Sequence, residues 1–238
     1  MSDDTDGPAP RTIAEEHSLG PMRRTIANRL QESYRNAVHV TVSRDVDAES
    51  LVRAADALDD PVSLTDVLLR ALSDALDSHP AFNATFEDGT HRRYEEHNVG
   101  VAVDIDAGLV TPVIADVSSK SPGEIAAERR RLTERVQSDE YDMSDLRGGT
   151  FTVTNLGVLG VDSFTPVINP PEVAILGVDR IVERARPGNG DGDIEFRRQL
   201  TLDLSFDHRV VDGADAARFL GTLAEHVEDA TQYTDEPA

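Results

Sequence analysis

The chain has 238 residues, 39% hydrophobic and 29% charged, with 45 Asp and Glu against 23 Lys and Arg and a formal net charge of −22. That length suits one large domain, no apolar run approaches the roughly 18 residues that span a bilayer, and so anionic a surface repels nucleic-acid phosphates. The lack of cysteine removes disulfides, thiolate metal sites and a cysteine nucleophile, so any thiol chemistry uses a thiol brought by a substrate.

Residues 1–20 are polar and aperiodic and read as a mobile acidic leader; without a basic n-region or an apolar h-region they give no secretory signal, and a cytoplasmic location is expected. In PMRRTIANRLQESYRN, Met22, Ile26, Leu30 and Tyr34 recur every four residues behind Pro21, which predicts an amphipathic helix. Its other face carries Arg23, Arg24, Arg29 and Arg35, which read as a solvated face, with anion binding as the alternative. VHVTVSRDV alternates as a half-buried strand, and AESLVRAADAL and LTDVLLRALSDALDS predict two helices, the second ended by His79 and Pro80.

EDG at 87–89 marks a turn, and NVGVAVDIDAGLVTPVIADV predicts two strands in a hairpin around Gly108. PGEIAAERRRLTERVQ is a helix opened by a proline, SDEYDMSDLRGG a loop, TFTVTNLG a β-branched strand, and NPPEVAILGV a buried strand. RPGNGDGD reads as a Gly-rich loop, after which Leu200, Leu202, Leu204 and Phe206 alternate in a strand. Phe219, Leu220, Leu223 and Val227 predict a last helix. The expected fold is α+β, a mixed β-sheet carrying packed helices, formed by residues 21–229 and followed by a frayed acidic tail, 230–238.

The last strand runs into SFDHRVVDGA, residues 205–214. One reading is structural: Asp212 caps the following helix or pairs with Arg209, and His208 fills a loop. The other is catalytic: an imidazole titrates near neutrality and takes a proton from a thiol or hydroxyl, while an oxyanion donor comes from elsewhere. There is no GxSxG serine elbow, which favours direct transfer between two substrates. No HxH or HExxH occurs and no metal site is expected; His91 and His97 flank an arginine-rich turn and read as exposed.

DHRVVDG resembles the DHRxxDG signature of the catalytic domain of dihydrolipoamide acyltransferases, the core component of 2-oxo acid dehydrogenase complexes, related in fold to chloramphenicol acetyltransferase. MRRTIANRLQES, HPAFNATFEDG, NVGVAVDIDAGLVTPVI, GGTFTVTNLGVLGVDSFTPVINPPEVAILGV and LTLDLSFDHRVVDGADAARFL are similar to that family's blocks in the same order, over about residues 20–227. The resemblance implies an acyltransferase moving an acyl group between coenzyme A, a substrate, and a dihydrolipoyl-type thiol. His208 matches the general base, and Asp212 the position that supports the histidine and its loop. Thr154 falls where the family often has the serine that hydrogen-bonds the tetrahedral oxyanion; threonine keeps the hydroxyl and adds a methyl that restricts its rotamers. The resemblance further implies a homotrimer with the active site between subunits.

Two features depart from the family pattern. The lipoyl and subunit-binding domains have no counterpart in these 238 residues, and the one lysine, Lys120, lies in VSSKSPGE inside the domain. The lipoyl group is therefore expected only in trans, from a separate lipoyl carrier, with dehydrogenase components as further partners and neither nucleic acid nor membrane among them. The chain ends TDEPA, not in an apolar anchor, and trimers that do not close into a cage are expected. The alternative is a non-catalytic core scaffold or coenzyme A-binding protein of the same fold. The acidity reads as halophilic adaptation, since salt screens self-repulsion.

Overall fold

A computed structural model of the protein describes residues 11–58, 62–105, 108–188 and 193–235. Residues 11–20 are exposed and without regular secondary structure, and lead into α1 (Pro21–Asn36), β1 (His39–Asp47), α2 (Glu49–Ala57) and α3 (Leu64–Ser78). The strands β2 (Ala84–Glu87), β3 (Thr90–Arg93), β4 (Val99–Val101), β5 (Val103–Ile105), β6 (Gly108–Val110) and β7 (Val113–Ile114) follow. Beyond them lie α4 (Pro122–Gln137), β8 (Phe151–Asn155), β9 (Ala174–Val178), β10 (Val182–Pro187), β11 (Ile194–Asp207) and α5 (Gly213–Glu228).

Helices α3 and α4 keep their predicted boundaries because both are capped by their own sequence. Ser63 and Asp66 form a reciprocal capping box at α3, as Ser121 and Glu124 do at α4 behind Pro122; each such cap stabilises by about 1 kcal/mol. Arg129, midway along α4, then pairs with the fully buried Asp66 at 2.6 Å and ties α4 to the start of α3.

The main sheet runs β1-β11-β9-β8-β4-β7, with β10 pairing β11. It is mixed: β4, β8 and β9 are parallel and the other pairs antiparallel. One face is apolar and carries the core, where Phe151, Val153, Leu202, Leu204 and Phe206 meet α3 and α5, and Phe219 stacks on Phe82 at 4.7 Å. The other face is lined by hydroxyls and carboxylates, including Thr41 against Ser205 (2.7 Å) and Thr201 against Asp45 (2.7 Å). This is the α+β, mixed-sheet architecture expected from the sequence.

The EDG turn forms as expected and joins two strands, β2 and β3, which pair from Ala84↔Arg93 to Glu87↔Thr90. Three local expectations are corrected. The hairpin around Gly108 is broken: β5 and β6 pair on their own, while β4 and β7 leave them to join the main sheet. Pro112, lacking an N–H, sits at that break, where its carbonyl accepts from Val101 N (2.9 Å).

The apolar stripe of α1 is not buried within the chain. Ser33 is the helix's buried residue, Leu30 is exposed, and Tyr34 is 74% exposed. The tail expected to fray at 230 instead continues as a 3-10 turn, Ala230–Asp235, because Tyr233 is 2% exposed and donates to Asp74 Oδ2 at 2.7 Å. Half of the Gly-rich loop (189–192), residues 1–10 of the leader and the end of the tail (236–238) lie outside the described residues.

Candidate functional site

The turn after β11 is held by Asp207. Its backbone N–H reaches Val173 O (2.9 Å), and its carboxylate accepts from Val38 N (3.2 Å), Arg209 N (3.1 Å) and the Arg209 guanidinium (2.5–3.0 Å). Burial alone would raise this carboxyl; the bonds from Arg209 and Val38 hold it below the usual aspartate range. Arg209 also lies over the Phe86 ring, 4.9 Å from its centroid. Arg209 is thus spent on structure, and the pairing with Asp212 considered from sequence is replaced by one with Asp207.

His208 is fixed through its backbone, whose N–H donates to Val38 O at 2.9 Å, while its side chain turns outward and is 40% exposed. Its ring rests against Phe206, with centroids 5.7 Å apart. Nδ1 stands 3.7 Å from Oδ1 of Asp212, which is itself 80% exposed. Asp212 occupies the N-cap position of α5 with extended backbone, but its carboxylate makes no capping bond. It is left facing the imidazole at Nδ1.

Thr154 is buried on β8, on the polar face of the sheet, and its hydroxyl makes no hydrogen bond among the described residues. The register sets Thr154 beside Gly177, Gly177 beside Asp203, and Asp203 beside Ser43. His208 lies five positions beyond Asp203 on the chain. At about 3.4 Å per residue along the strand and about 4.8 Å between strands, Thr154 and His208 are roughly 20 Å apart within one chain. The structure brings His208 and Asp212 together and leaves Thr154 two strands away and about five residues along the sheet.

Sequence reasoning missed a second buried carboxyl, Glu172. It accepts from Thr152 Oγ1 (2.6 Å) and Asn169 Nδ2 (3.0 Å), and Arg29 of α1 reaches Asn169 Oδ1 (3.3 Å) and Pro170 O (2.9 Å). Burial pushes Glu172 up to about 7 against the pull of those hydrogen bonds and of Arg29. Glu172, Arg29, Asp207 and Arg209 line an open cleft of about 680 Å³ beside the turn, and His208 does not. The only advance signal was a Glu behind two prolines, which by itself reads as a strand entry.

His97, read as exposed, is buried: it bonds Ser73 Oγ at 2.7 Å, and burial lowers its pKa. Lys120 directs its ammonium at the carbonyls of Ala115 and Asp116 and stands 3.5 Å from Glu128. Among the described residues no three His, Cys, Asp or Glu side chains gather as metal ligands, and no helix is long and apolar enough to cross a membrane.

Comparison with known proteins supplies a context for this geometry. Residues 12–234 match the family described as 2-oxoacid dehydrogenases acyltransferase (catalytic domain). The lipoamide acyltransferase component of the branched-chain alpha-keto acid dehydrogenase complex of Pseudomonas putida is 38% identical over 223 residues, covering 90% of this chain and 52% of that protein. The chain spans about half the length of the curated relatives it matches. Among solved structures, the dihydrolipoamide acetyltransferase of Azotobacter vinelandii superposes with a TM-score of 0.85 at 32% identity, covering 95% of this chain and 99% of that one. That enzyme was studied for the roles of a serine, a histidine and an asparagine in its catalytic mechanism. A chloramphenicol acetyltransferase superposes with a TM-score of 0.53 at 13% identity, over 90% of this chain and 99% of that one, a likeness of fold alone.

Proposed function

The chain belongs to the 2-oxoacid dehydrogenase acyltransferase (catalytic domain) family, and from that membership we propose that it moves an acyl group between coenzyme A and a dihydrolipoyl-type thiol. The observation that carries the reading is His208, presented outward on an anchored turn with Asp212 at its Nδ1. In the Azotobacter enzyme the histidine and asparagine studied are also four positions apart. Here the second position is an aspartate.

Nε2 of His208 takes the proton of the incoming thiol, and the thiolate sulfur attacks the thioester carbonyl carbon. Thr154 donates its hydroxyl to the resulting oxyanion. Collapse re-forms the carbonyl, breaks the old C–S bond and expels the second thiolate, which takes the proton back from the imidazolium. Asp212 orients the ring through Nδ1 so that Nε2 meets the sulfur.

The separation of His208 and Thr154 supports a site completed by a second copy of the chain, with the base from one subunit and the oxyanion donor from its neighbour in a closed trimer. The exposed apolar side chains of α1, Leu30 and Tyr34, supply surface for such an assembly. The catalytic unit is taken as residues 21–229 with the packed turn at 230–235.

The lipoyl group is one not attached to these 238 residues, since their only lysine is held by Ala115, Asp116 and Glu128. A separate lipoyl carrier and the dehydrogenase components are the partners this implies.

Thiol release from a panel of acetyl-, succinyl- and branched-chain acyl-coenzyme A with dihydrolipoamide tests the reading. Turnover of at least one pair is expected; coenzyme A binding with no turnover of any pair replaces it with the scaffold reading. The formal charge of −22 also predicts a salt-adapted protein, whose melting temperature rises substantially from low to molar salt. A flat salt series removes the halophilic assignment.

A further inference from the structure

The connection between β8 and β9 crosses the sheet face that carries Thr154, and it is pinned at several points. Leu156 N donates to Val178 O (3.1 Å) and Arg180 N to Val161 O (2.9 Å). Gly157 packs so closely on Asp179 that a Cβ would lie 2.3 Å from its carbonyl oxygen, and the Phe164 ring covers Gly177, where a Cβ would come within 2.9 Å of it. The remaining anchor is the fully buried carboxylate of Asp203, whose Oδ2 accepts from Phe164 N (2.9 Å) and Ser163 Oγ (3.2 Å) and whose Oδ1 accepts from Ser43 Oγ.

Beside it on the same sheet face lies Asp179, 3% exposed: its N–H donates to Thr201 O (3.1 Å), which sets it diagonal to Asp203 in the strand register, and neither carboxyl oxygen has a hydrogen-bond partner among the described residues. Among the described residues the other charge acting on it is Asp162, which pairs with Arg180 at 2.5 Å; the α2 and α3 residues that line a pocket with Asp179, namely Leu51, Leu64, Thr65 and Leu68, are uncharged. Two bare carboxylates side by side and out of water are strongly disfavoured. Asp203 already accepts three donors, as a carboxylate does, while Asp179 accepts none.

We propose that Asp179 carries a proton which it donates to Asp203, and that this carboxylic acid–carboxylate bond clamps the connection between β8 and β9 onto the face of the sheet that holds Thr154. Burial, followed by the charges of Asp203 and Asp162, pushes Asp179 up to about 7. An unfolded aspartate titrates near 3.9, so the folded state binds more protons between those values. The clamp's contribution to stability is full below about pH 4, falls as pH rises and is gone once pH passes about 7. This inference stands apart from the acyl-transfer reading, and its readout needs no substrate.

The test is hydrogen exchange at the Phe164 amide in the full chain, corrected for the intrinsic rate, at pH 6 and pH 8. Protection is expected to fall about tenfold in the wild type, because a group titrating near 7 is about nine-tenths ionised one unit higher. Asp179→Asn, whose amide still donates to Asp203 without titrating, is expected to keep its protection at both pH values. A flat wild-type response, or an equal loss in Asp179→Asn, overturns the clamp. Should the variant not fold, the side-chain carboxyl NMR shift of Asp179 in the wild type decides: titration near 7 supports the proposal and titration below 5 overturns it. Protection that changes when choline replaces sodium at constant ionic strength assigns a bound cation in the proton's place and also overturns it.

Discussion

His208→Ala is expected to lower the turnover of acyl-coenzyme A with dihydrolipoamide by about 10²- to 10⁴-fold, the usual contribution of a positioned general base. The loss falls on kcat, with KM for acyl-coenzyme A little changed, because the imidazole acts on the proton in flight and not on the bound substrate. Folding is spared. The His208 side chain is exposed, and the turn is held by its backbone N–H to Val38 and by Asp207, neither of which the substitution touches. The measurements are initial rates of thiol release together with light scattering and thermal melting. A rate within a few-fold of wild type, in a protein of unchanged mass, removes His208 from the mechanism.

Thr154→Ala is the second large effect, with an expected loss of about 10²- to 10³-fold for one oxyanion donor, while Thr154→Ser is expected to retain most of the activity. The decisive experiment mixes the two dead proteins. Under the proposed shared site, in which His208 and Thr154 of one chain stand too far apart to meet, each complete site draws one residue from each of two neighbours. Unfolding and reassembling equal amounts of His208→Ala and Thr154→Ala chains should restore about one quarter of wild-type activity, the share of neighbouring pairs in which both intact residues meet. No recovery, in an assembly shown by mass to be mixed, overturns the shared site.

Short-range signals carried most of the secondary structure. Helices α3 and α4 announce themselves because their caps, Ser63 with Asp66 and Ser121 with Glu124, lie within four residues of one another. The alternation from Leu200 to Phe206 locates the strand that delivers His208, and Asp212 follows within the same turn. What stayed hidden is the order of strands: nothing local in β8 or β11 says that β9 lies between them, so the separation of Thr154 and His208 could not be read from spacing along the chain.

The buried carboxyls were hidden for the same reason. Glu172 and Asp179 are ordinary acidic residues until β8, β11 and the β8–β9 connection close around them. Helix α1 shows the opposite failure. Its pattern from Met22 to Tyr34 is that of a buried stripe, but the described residues leave Leu30 and Tyr34 exposed, Tyr34 with only the His39 ring stacked on it.

Lys120 bears on a hazard of the proposed chemistry. Thioesters acylate unprotonated amines without any catalyst, so a protein that handles them for its lifetime exposes every lysine to slow covalent damage. This surface meets that exposure with guanidinium groups, which do not react in this way, and with a single ε-amine whose protons are held by the Ala115 and Asp116 carbonyls near Glu128. Under the proposed chemistry, Lys120 is the one side-chain amine of these 238 residues to which an acyl group could be lost.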